Sequence, residues 1–323
     1  MLKHVAAAAA VLILGCIWSE PSHAQVDKLP AYLQEALTQL GPQYAKDATT
    51  AIPATVEAFQ SVLKTAPRDG VTITKDQPYG ADPRQVLDVY RPSACSGVPV
   101  VIFIHGGAYT SSDKDIGEPY GNVATWFARA GMLGINANYR LAPAAKWPAG
   151  AEDVRGMVAW AKANAARFGG DPNRIFLIGH SAGATHVSTY IFDKALQPPE
   201  GPGIAGAVLM GGRYRLAYNP GDPWMQNMVT YFGDDPKQYA NRSTINHIRD
   251  GARVPVFIVI SEYEQPGLDV FSAELLSALC ERDGACPRFV RLVGHNHMSE
   301  VLAFNTPDEY LGNQILDFMA KGR

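Results

Sequence analysis

The feature that most constrains the fold is a serine set between glycines at residues 179–183, which read Gly-His-Ser-Ala-Gly with Ser181 at the centre. An apolar, β-rich run, 174–178, directly precedes this segment, and a helix-like stretch, 184–196, follows it. A G-x-S-x-G sequence between a strand and a helix is typical of a strained turn that lifts the serine hydroxyl above the edge of a sheet. We therefore predict that Ser181 is a nucleophile on such a turn.

The chain around this turn alternates short β-rich runs with longer amphipathic stretches from residue 71 onward. That pattern predicts an α/β fold with a mostly parallel sheet and helices on both faces. The runs 100–104 and 256–260 are apolar without alternation, as expected for central strands buried on both faces. The eight predicted strands are 71–74, 86–90, 98–105, 133–139, 174–179, 204–210, 254–260 and 288–293, the first two joined by a hairpin-like turn.

Composition and charge limit the classes of function. The chain has 323 residues, of which 47% are hydrophobic and 18% charged, so it can build one large domain or two ordinary ones. Its net charge is −3 and it has no run of Lys or Arg. The basic surface expected of a polyanion-binding protein is missing, so we expect no nucleic-acid partner.

The first 24 residues have the pattern of an export signal. Lys3 precedes an apolar stretch, 5–18, and a small-x-small cleavage site ends at Ala24. The apolar stretch is shorter than the ~20 residues that span a bilayer, and we expect no stable membrane span elsewhere. We therefore predict a mature protein that begins at Gln25 and is periplasmic or secreted.

Two further features concern organisation. Residues 13–16 resemble a lipoprotein box, so lipidation of Cys16 is the alternative to simple cleavage. Helical spacing and proline breaks after the leader predict a helical N-terminal extension. The predicted organisation is a signal peptide (1–24), the helical extension (25–70) and a catalytic domain (71–323) with a candidate lid or cap insertion at 213–243.

A serine nucleophile requires a general base, an acid that orients the base, and donors for the oxyanion. The strand predicted at 98–105 runs into a His-Gly-Gly-Ala-Tyr segment that places glycine amides at the carboxyl end of the sheet. We predict that the oxyanion hole consists of the backbone N–H groups of Gly106, Gly107 and Ala182.

Together these motifs resemble the α/β-hydrolases of the hormone-sensitive-lipase-like carboxylesterase group. The resemblance covers roughly residues 71–323 and includes the stretches 138–143, 151–154 and 168–172. One departure is His180, because the lipase-like branch usually has Asp before the nucleophile and the cholinesterase-like branch Glu. This places the chain nearer the arylformamidase-like, methylesterase-like and feruloyl-esterase-like members.

The chain order of this fold, Ser then acid then His, selects the base. Only His295 and His297 follow the strand that is expected to carry the acid. The family pattern Gly-x-x-His before a final helix implies His297, with His295 as the alternative.

Three carboxylates in the loop 261–269 are candidates for the acid: Glu262, Glu264 and Asp269. The family's Gly-Glu-x-Asp pattern aligns Glu264 with the acid. Asp269 falls where the next helix begins, where it can act as a cap. Glu262 and Asp269 remain the alternatives.

The resemblance implies a serine hydrolase that cleaves a small-molecule carboxylic ester with Ser181, His297 and Glu264, and no cofactor or metal is implied. An arylformamidase or amidase would use the same residues, and a non-catalytic binding protein could retain the fold. The candidate substrate pocket comprises Tyr109 together with Tyr214, Trp224 and Tyr231 of the 213–243 segment. The alternative for these aromatic residues is packing against the domain.

Cleavage of the leader would leave three cysteines. Five residues that include an Asp-Gly turn signal separate Cys280 from Cys286, so the chain can fold back and join them. Cys95 lacks an obvious partner. We predict a Cys280–Cys286 disulfide, in keeping with an exported protein.

Overall fold

The structure is a computed structural model that describes residues 25–44, 46–115 and 118–322. The predicted export signal, with Cys16, lies outside the described residues. Within them, no helix combines the length and the apolar character that crossing a bilayer requires.

In the described part of the chain, eight strands form one sheet with the order β1-β2-β4-β3-β5-β6-β7-β8. The strands are β1 (Val71–Pro78), β2 (Val86–Pro92), β3 (Val98–Ile104), β4 (Leu133–Ala137), β5 (Gly170–His180), β6 (Gly206–Met210), β7 (Val256–Tyr263) and β8 (Arg288–Asn296). Strand β2 is antiparallel to β1 and β4, and the other neighbouring pairs are parallel. The predicted α/β class with a mostly parallel, eight-stranded sheet is confirmed.

Strand ends differ from the prediction where polar residues are involved. Strands β7 and β8 continue beyond their apolar runs, and Tyr263 pairs with Asn296 at their carboxyl ends. Conversely, His105 and Tyr139 lie beyond their strands, and their rings stack with centroids 4.5 Å apart. Hydrophobic pattern does not detect these ends, because backbone pairing with the neighbouring strand decides them.

The central strands are buried on both faces. Val100, Ile102 and Ile104 of β3 belong to one hydrophobic cluster, whereas Val101 and Phe103 belong to the other. The first cluster includes residues of α4 (Ala149–Asn164), α5 (Ala182–Phe192) and α8 (Leu268–Asp283). The second includes residues of α1 (Ala31–Tyr44), α2 (Ala48–Lys64), α3 (Glu118–Arg129), α9 (Ser299–Leu302) and α10 (Tyr310–Lys321). Helices therefore cover both faces, as predicted.

Two segments of the predicted organisation have specific places in this fold. Helices α1 and α2, within residues 25–70, bury Leu33 and Phe59 in the second cluster. Residues 213–243 contain α6 (Met225–Phe232) and α7 (Tyr239–Arg242), and form a separate apolar cluster that includes Tyr109 and Ala182. This segment therefore packs above the carboxyl ends of the strands.

Candidate active site

Five adjacent strands end at the same edge of the sheet, and a residue with a predicted or observed role follows each of them. His105 follows β3, Ser181 follows β5, Gly211 follows β6, Glu264 follows β7 and His297 follows β8. Binding sites of open α/β sheets lie at the carboxyl ends of their strands. The topology therefore brings together residues that are up to 192 positions apart in the chain, from 105 to 297.

Ser181 has a strained backbone at the turn between β5 and α5. Its φ of 55° and ψ of −119° are rare for a residue with a side chain. Its N–H donates to the carbonyl of Met210 at 2.8 Å, which fixes the turn to β6. At Gly183 an added Cβ would lie 2.1 Å from the carbonyl oxygen of Ile104, so the turn requires glycine there. The residue that the sequence predicts as the nucleophile is therefore held in a strained conformation.

His297 and Glu264 form a buried pair. Nδ1 of His297 lies 2.8 Å from Oε2 of Glu264, and the two residues are 1% and 6% exposed. The Ser261 N–H donates to Oε1 of the same carboxylate at 3.0 Å, and the His297 N–H donates to the carbonyl of Tyr263 at 3.2 Å. With Nδ1–H donated to the carboxylate, Nε2 of His297 is the free acceptor, and it has no hydrogen-bond partner in the described structure.

The alternative histidine has other contacts. Nδ1 of His295 lies 3.0 Å from the hydroxyl of Ser299, and its Nε2 lies 3.0 Å from a carboxylate oxygen of Asp308. Both ring nitrogens are therefore engaged away from Glu264, and the geometry favours His297 as the base.

The two alternative carboxylates are also engaged elsewhere. Glu262 accepts from the backbone N–H of Gly294 at 2.8 Å and pairs with Arg291 at 3.2 Å. Asp269 lies in the first turn of α8 and accepts from the N–H of Val270. Glu264 is the carboxylate that contacts His297.

The predicted oxyanion residues lie beside the nucleophile. A Cβ on Gly106 would lie 3.0 Å from the Cβ of Ser181, so the Gly106 backbone is in contact with the serine. Gly107, Ala108 and Tyr109 all have positive φ, at 123°, 47° and 69°. Strain of this kind concentrates at functional sites. Ala182 is the residue after the nucleophile, and the oxyanion role of all three residues stays a prediction.

A cleft with a volume of about 30 Å³ opens at Ser181. Of the four predicted pocket residues, Tyr109 and Trp224 line it. Tyr214 and Tyr231 do not line this cleft, since they are 0% and 2% exposed. The Tyr231 ring stacks on Tyr109 with centroids 5.0 Å apart, so Tyr231 acts through packing, which was the alternative interpretation.

Sequence reasoning missed several residues of this region. Gly211, Arg213, Gln265 and Leu268 also line the cleft. Position in the sequence was the signal that could have found Gly211. It directly follows the predicted strand 204–210, just as the other candidate site residues follow the ends of their strands.

A second group of polar side chains lies behind the His297–Glu264 pair. His180, His297 and Glu300 each bring one potential metal ligand atom within 4.8 Å of the others. However, Nδ1 of His297 is hydrogen-bonded to Glu264, and Nε2 of His180 donates to the carbonyl of His297 at 2.9 Å. These contacts make the group a hydrogen-bond network around the base.

Comparison with known proteins finds relatives that are named as esterases. The family model BD-FAE matches residues 87–191. Esterase LipC of Mycobacterium tuberculosis is 38% identical over 146 residues, covering 42% of this chain and 36% of LipC. Esterase LipQ of the same organism is 27% identical over 265 residues, covering 76% of this chain and 62% of LipQ. The chain thus spans less than two thirds of the length of either relative.

Among solved structures, the hyperthermophilic esterase from the archaeon Pyrobaculum calidifontis has a TM-score of 0.68. It is 21% identical, and the match covers 90% of this chain and 97% of that one. At this identity the likeness shows the fold. The chain therefore has an α/β-hydrolase fold, and its segment 87–191 is similar to the BD-FAE family.

Proposed function

We propose that this protein is a serine hydrolase that cleaves carboxylic esters. The observation that carries the proposal is the buried His297–Glu264 hydrogen bond of 2.8 Å, which lies at the same edge of the sheet as the strained Ser181. The relatives named as esterases support the same reaction class.

In the proposed mechanism, Ser181 attacks the ester carbonyl and His297 Nε2 accepts the hydroxyl proton. Glu264 holds the proton on Nδ1 and stabilises the imidazolium that forms. Collapse of the tetrahedral intermediate breaks the bond to the alcohol, which leaves with the proton from His297. Water then attacks the acyl-enzyme through the same transfers and releases the acid. The backbone N–H groups of Gly106, Gly107 and Ala182 stabilise the oxyanion in both steps.

Labelling with a fluorophosphonate tests this proposal, because only an activated serine reacts. The wild-type protein should be labelled and should hydrolyse p-nitrophenyl acetate. Ser181→Ala should lose labelling, and its turnover should fall by about 10⁴-fold or more. Ser61→Ala, at an exposed serine of α2, is the matched control. A wild-type protein that is neither labelled nor active would identify a binding protein, and faster cleavage of N-formyl aryl amides than of esters would identify a formamidase.

The space around Ser181 supports a finer proposal about the ester. The cleft at the nucleophile measures about 30 Å³, whereas a neighbouring cavity that shares Arg213 measures about 540 Å³. Polar residues line much of the larger cavity, including Lys46, Arg215 and Asn219. We propose that a short acyl group occupies the small cleft and that a larger, polar alcohol occupies the cavity.

An ester panel that varies acyl and alcohol parts separately tests this assignment. Turnover should fall as the acyl chain lengthens from acetyl to octanoyl, and should tolerate large polar alcohols. Trp224→Ala removes a wall of the cleft and should shift the optimum towards longer acyl chains. Equal wild-type rates on acetyl and octanoyl esters would contradict the proposal.

We also propose that the protein is exported and begins at Gln25 in its mature form. The leader pattern supports this, as does the Cys280–Cys286 bond, because disulfides persist in oxidising compartments. Mass spectrometry of the protein recovered from periplasm or medium should give an N-terminus at Gln25. A lipidated N-terminus at Cys16 would support the lipoprotein alternative instead.

A further inference from the structure

The hydroxyl of Ser261 is a hydrogen-bond partner of Glu300. Its Oγ is 2.7 Å from Oε2 of Glu300, and both residues are buried. The carbonyl oxygen of Asn296 is 3.1 Å from the same Oγ, but it also accepts from the hydroxyl of Ser299 at 3.1 Å. Oε1 of Glu300 has no hydrogen-bond partner in the described structure. An ionised Glu300 would therefore be a buried carboxylate with one of its oxygen atoms unpaired, which is costly.

A proton on Glu300 removes the cost of that buried charge. Oε2–H of Glu300 then donates to Oγ of Ser261, and the Ser261 hydroxyl donates to the carbonyl of Asn296. The distance of 2.7 Å is typical of a hydrogen bond between two oxygen atoms. The burial and the contacts of Glu300 thus favour a neutral carboxylic acid.

The surroundings of Glu300 favour the same protonation state. Glu300 is 1% exposed, and the described residues give it no ion pair with Lys or Arg. Burial raises the pKa of Glu300 well above its ordinary value, and the negative charge of nearby Glu264 raises it further. The other titratable groups that face it are His180, His297, Tyr44 and Tyr214, with His295 and Asp308 across a small cavity.

His180 lies between this acid and the backbone of the base. Nε2 of His180 is 2.9 Å from the carbonyl oxygen of His297 and 3.3 Å from Oε1 of Glu300. Because the carbonyl can only accept, Nε2 of His180 carries the hydrogen. Burial and the neighbouring His297 hold the pKa of His180 well below its ordinary value, so its ring is neutral. This N–H group donates to the His297 backbone and lies beside Glu300 without a hydrogen bond to it.

We infer that Glu300 retains its proton at neutral pH and, with Ser261 and His180, positions the loop that carries the catalytic base. Ser261 also donates its backbone N–H to Glu264, so the same network links the acid loop, the base loop and the residue before the nucleophile. Glu300 is a positioning residue, and its kinetic role rests on the proposed function.

The protonation state has a chemical consequence. A neutral Glu300 leaves Glu264 as the single carboxylate that contacts the imidazole of His297. A second ionised carboxylate at this distance would stabilise the imidazolium of His297 and move the acidic limb of the pH–rate profile to higher pH.

The first experiment measures the proton directly and does not depend on ester hydrolysis. An infrared difference spectrum of wild type minus Glu300→Gln at neutral pH should contain the carbonyl band of a protonated carboxylic acid. Glu309→Gln is the matched control, since Glu309 is exposed at the start of α10 and should contribute carboxylate bands only. Carboxylate bands in place of the acid band for Glu300 would overturn the inference.

The second experiment tests positioning in the full-length protein. Glu300→Ala should lower kcat by roughly tenfold or more with little change in KM, because small misplacements of a catalytic group cost rate. Glu300→Gln, whose amide can still donate to Ser261, should have a kcat close to that of wild type and the same acidic limb in its pH–rate profile. An acidic limb at lower pH in Glu300→Gln than in wild type would show that Glu300 was ionised. A wild-type kcat in Glu300→Ala would refute the positioning role.

A magnetic resonance signal separates failure of this inference from failure of the proposed function. The downfield proton on Nδ1 of His297 should be sharp in wild type and Glu300→Gln, and broadened or lost in Glu300→Ala. If the wild-type protein hydrolyses no ester, this signal and the infrared band still test the network of Glu300, Ser261 and His180. An unchanged Nδ1 proton signal in Glu300→Ala would contradict the positioning role of Glu300.

Discussion

Gly211 lies directly against the His297–Glu264 pair. A Cβ at this position would be 2.8 Å from the imidazole of His297 and 3.1 Å from Oε1 of Glu264. Its φ of +52° also lies in the left-handed region. The end of β6 therefore leaves no room beside the pair, and both ring and carboxylate are confined by backbone.

Substitution of Gly211 should consequently damage turnover. In Gly211→Ala the methyl group displaces the imidazole, and we expect kcat to fall by ~100-fold with a folded protein. Gly131→Ala is the matched control, because Gly131 also has positive φ, at +86°, with nothing within 4 Å of the added Cβ. Steady-state kinetics together with thermal unfolding will distinguish the two variants. Equal losses of kcat in both would show that backbone strain, and not contact with the pair, is responsible.

Replacement of the two histidines near the end of β8 should have opposite consequences. His297→Ala removes the proposed base, and we expect the turnover of the folded fraction to fall by about 10⁴-fold or more. His295→Ala breaks buried contacts with Ser299 and Asp308, so it should lower stability and retain most of the activity of the folded fraction. Kinetics and denaturant unfolding of both variants provide the comparison. A reversed pattern would assign the base to His295.

The three carboxylates of the 261–269 loop should be separable by kinetics. Glu264→Ala should reduce kcat by ~10³-fold or more, because the carboxylate fixes the tautomer of His297. Glu262→Ala and Asp269→Ala remove a partly exposed contact with Arg291 and a residue of the first turn of α8, so each should change kcat less than tenfold. A larger effect at Asp269 would show that the acid is misassigned.

The disulfide is open to chemical test. Cys280 and Cys286 are joined in the structure, whereas Cys95 has a free thiol that donates to the carbonyl of Phe168 at 3.3 Å. Thiol counting under denaturing, non-reducing conditions should therefore give one free thiol per mature chain. Replacing Cys280 and Cys286 together by serine should cost about 2 kcal/mol of stability, since the closed loop is short. Three free thiols would contradict both the bond and the proposed compartment.

The buried acid Glu300 predicts a pH dependence of stability. In the unfolded chain a glutamate ionises near its ordinary pKa of 4.5, whereas burial keeps Glu300 protonated in the folded state. Above about that pH the folded state therefore binds more protons, and the wild-type protein loses stability relative to Glu300→Gln as pH rises. Denaturant unfolding of both proteins between pH 4 and pH 7 should show that the free energy of unfolding of wild type falls relative to that of Glu300→Gln. A difference in unfolding free energy that does not change with pH would contradict the raised pKa of Glu300.

Much of the fold followed from patterns within short segments. The apolar runs 100–104 and 256–260 specified central strands, because strands buried on both faces cannot alternate in polarity. The turn at Ser181 was recognisable because a strand and a helix flank small residues, and the Asp-Gly signal between Cys280 and Cys286 marked a local reversal. Each of these features depends on residues that are close in sequence.

The assignment of partners depended on the sheet. Glu264, Glu262 and Asp269 are chemically similar and lie within eight positions, so only the fold could show which carboxylate contacts His297. Likewise, the sequence predicts both Tyr214 and Trp224 as aromatic residues of the pocket. In the structure Tyr214 is buried, whereas Trp224 lines the cleft.

The network of Glu300, Ser261 and His180 had no sequence signal at all. Its members come from three segments, and they meet because β5, β6, β7 and β8 end side by side. Sequence by itself determined the elements and predicted the nucleophile, since local pattern and turn chemistry act over a few residues. Tertiary structure decided which side chains share a proton, because hydrogen bonds depend on distances of about 3 Å that only the packed sheet sets.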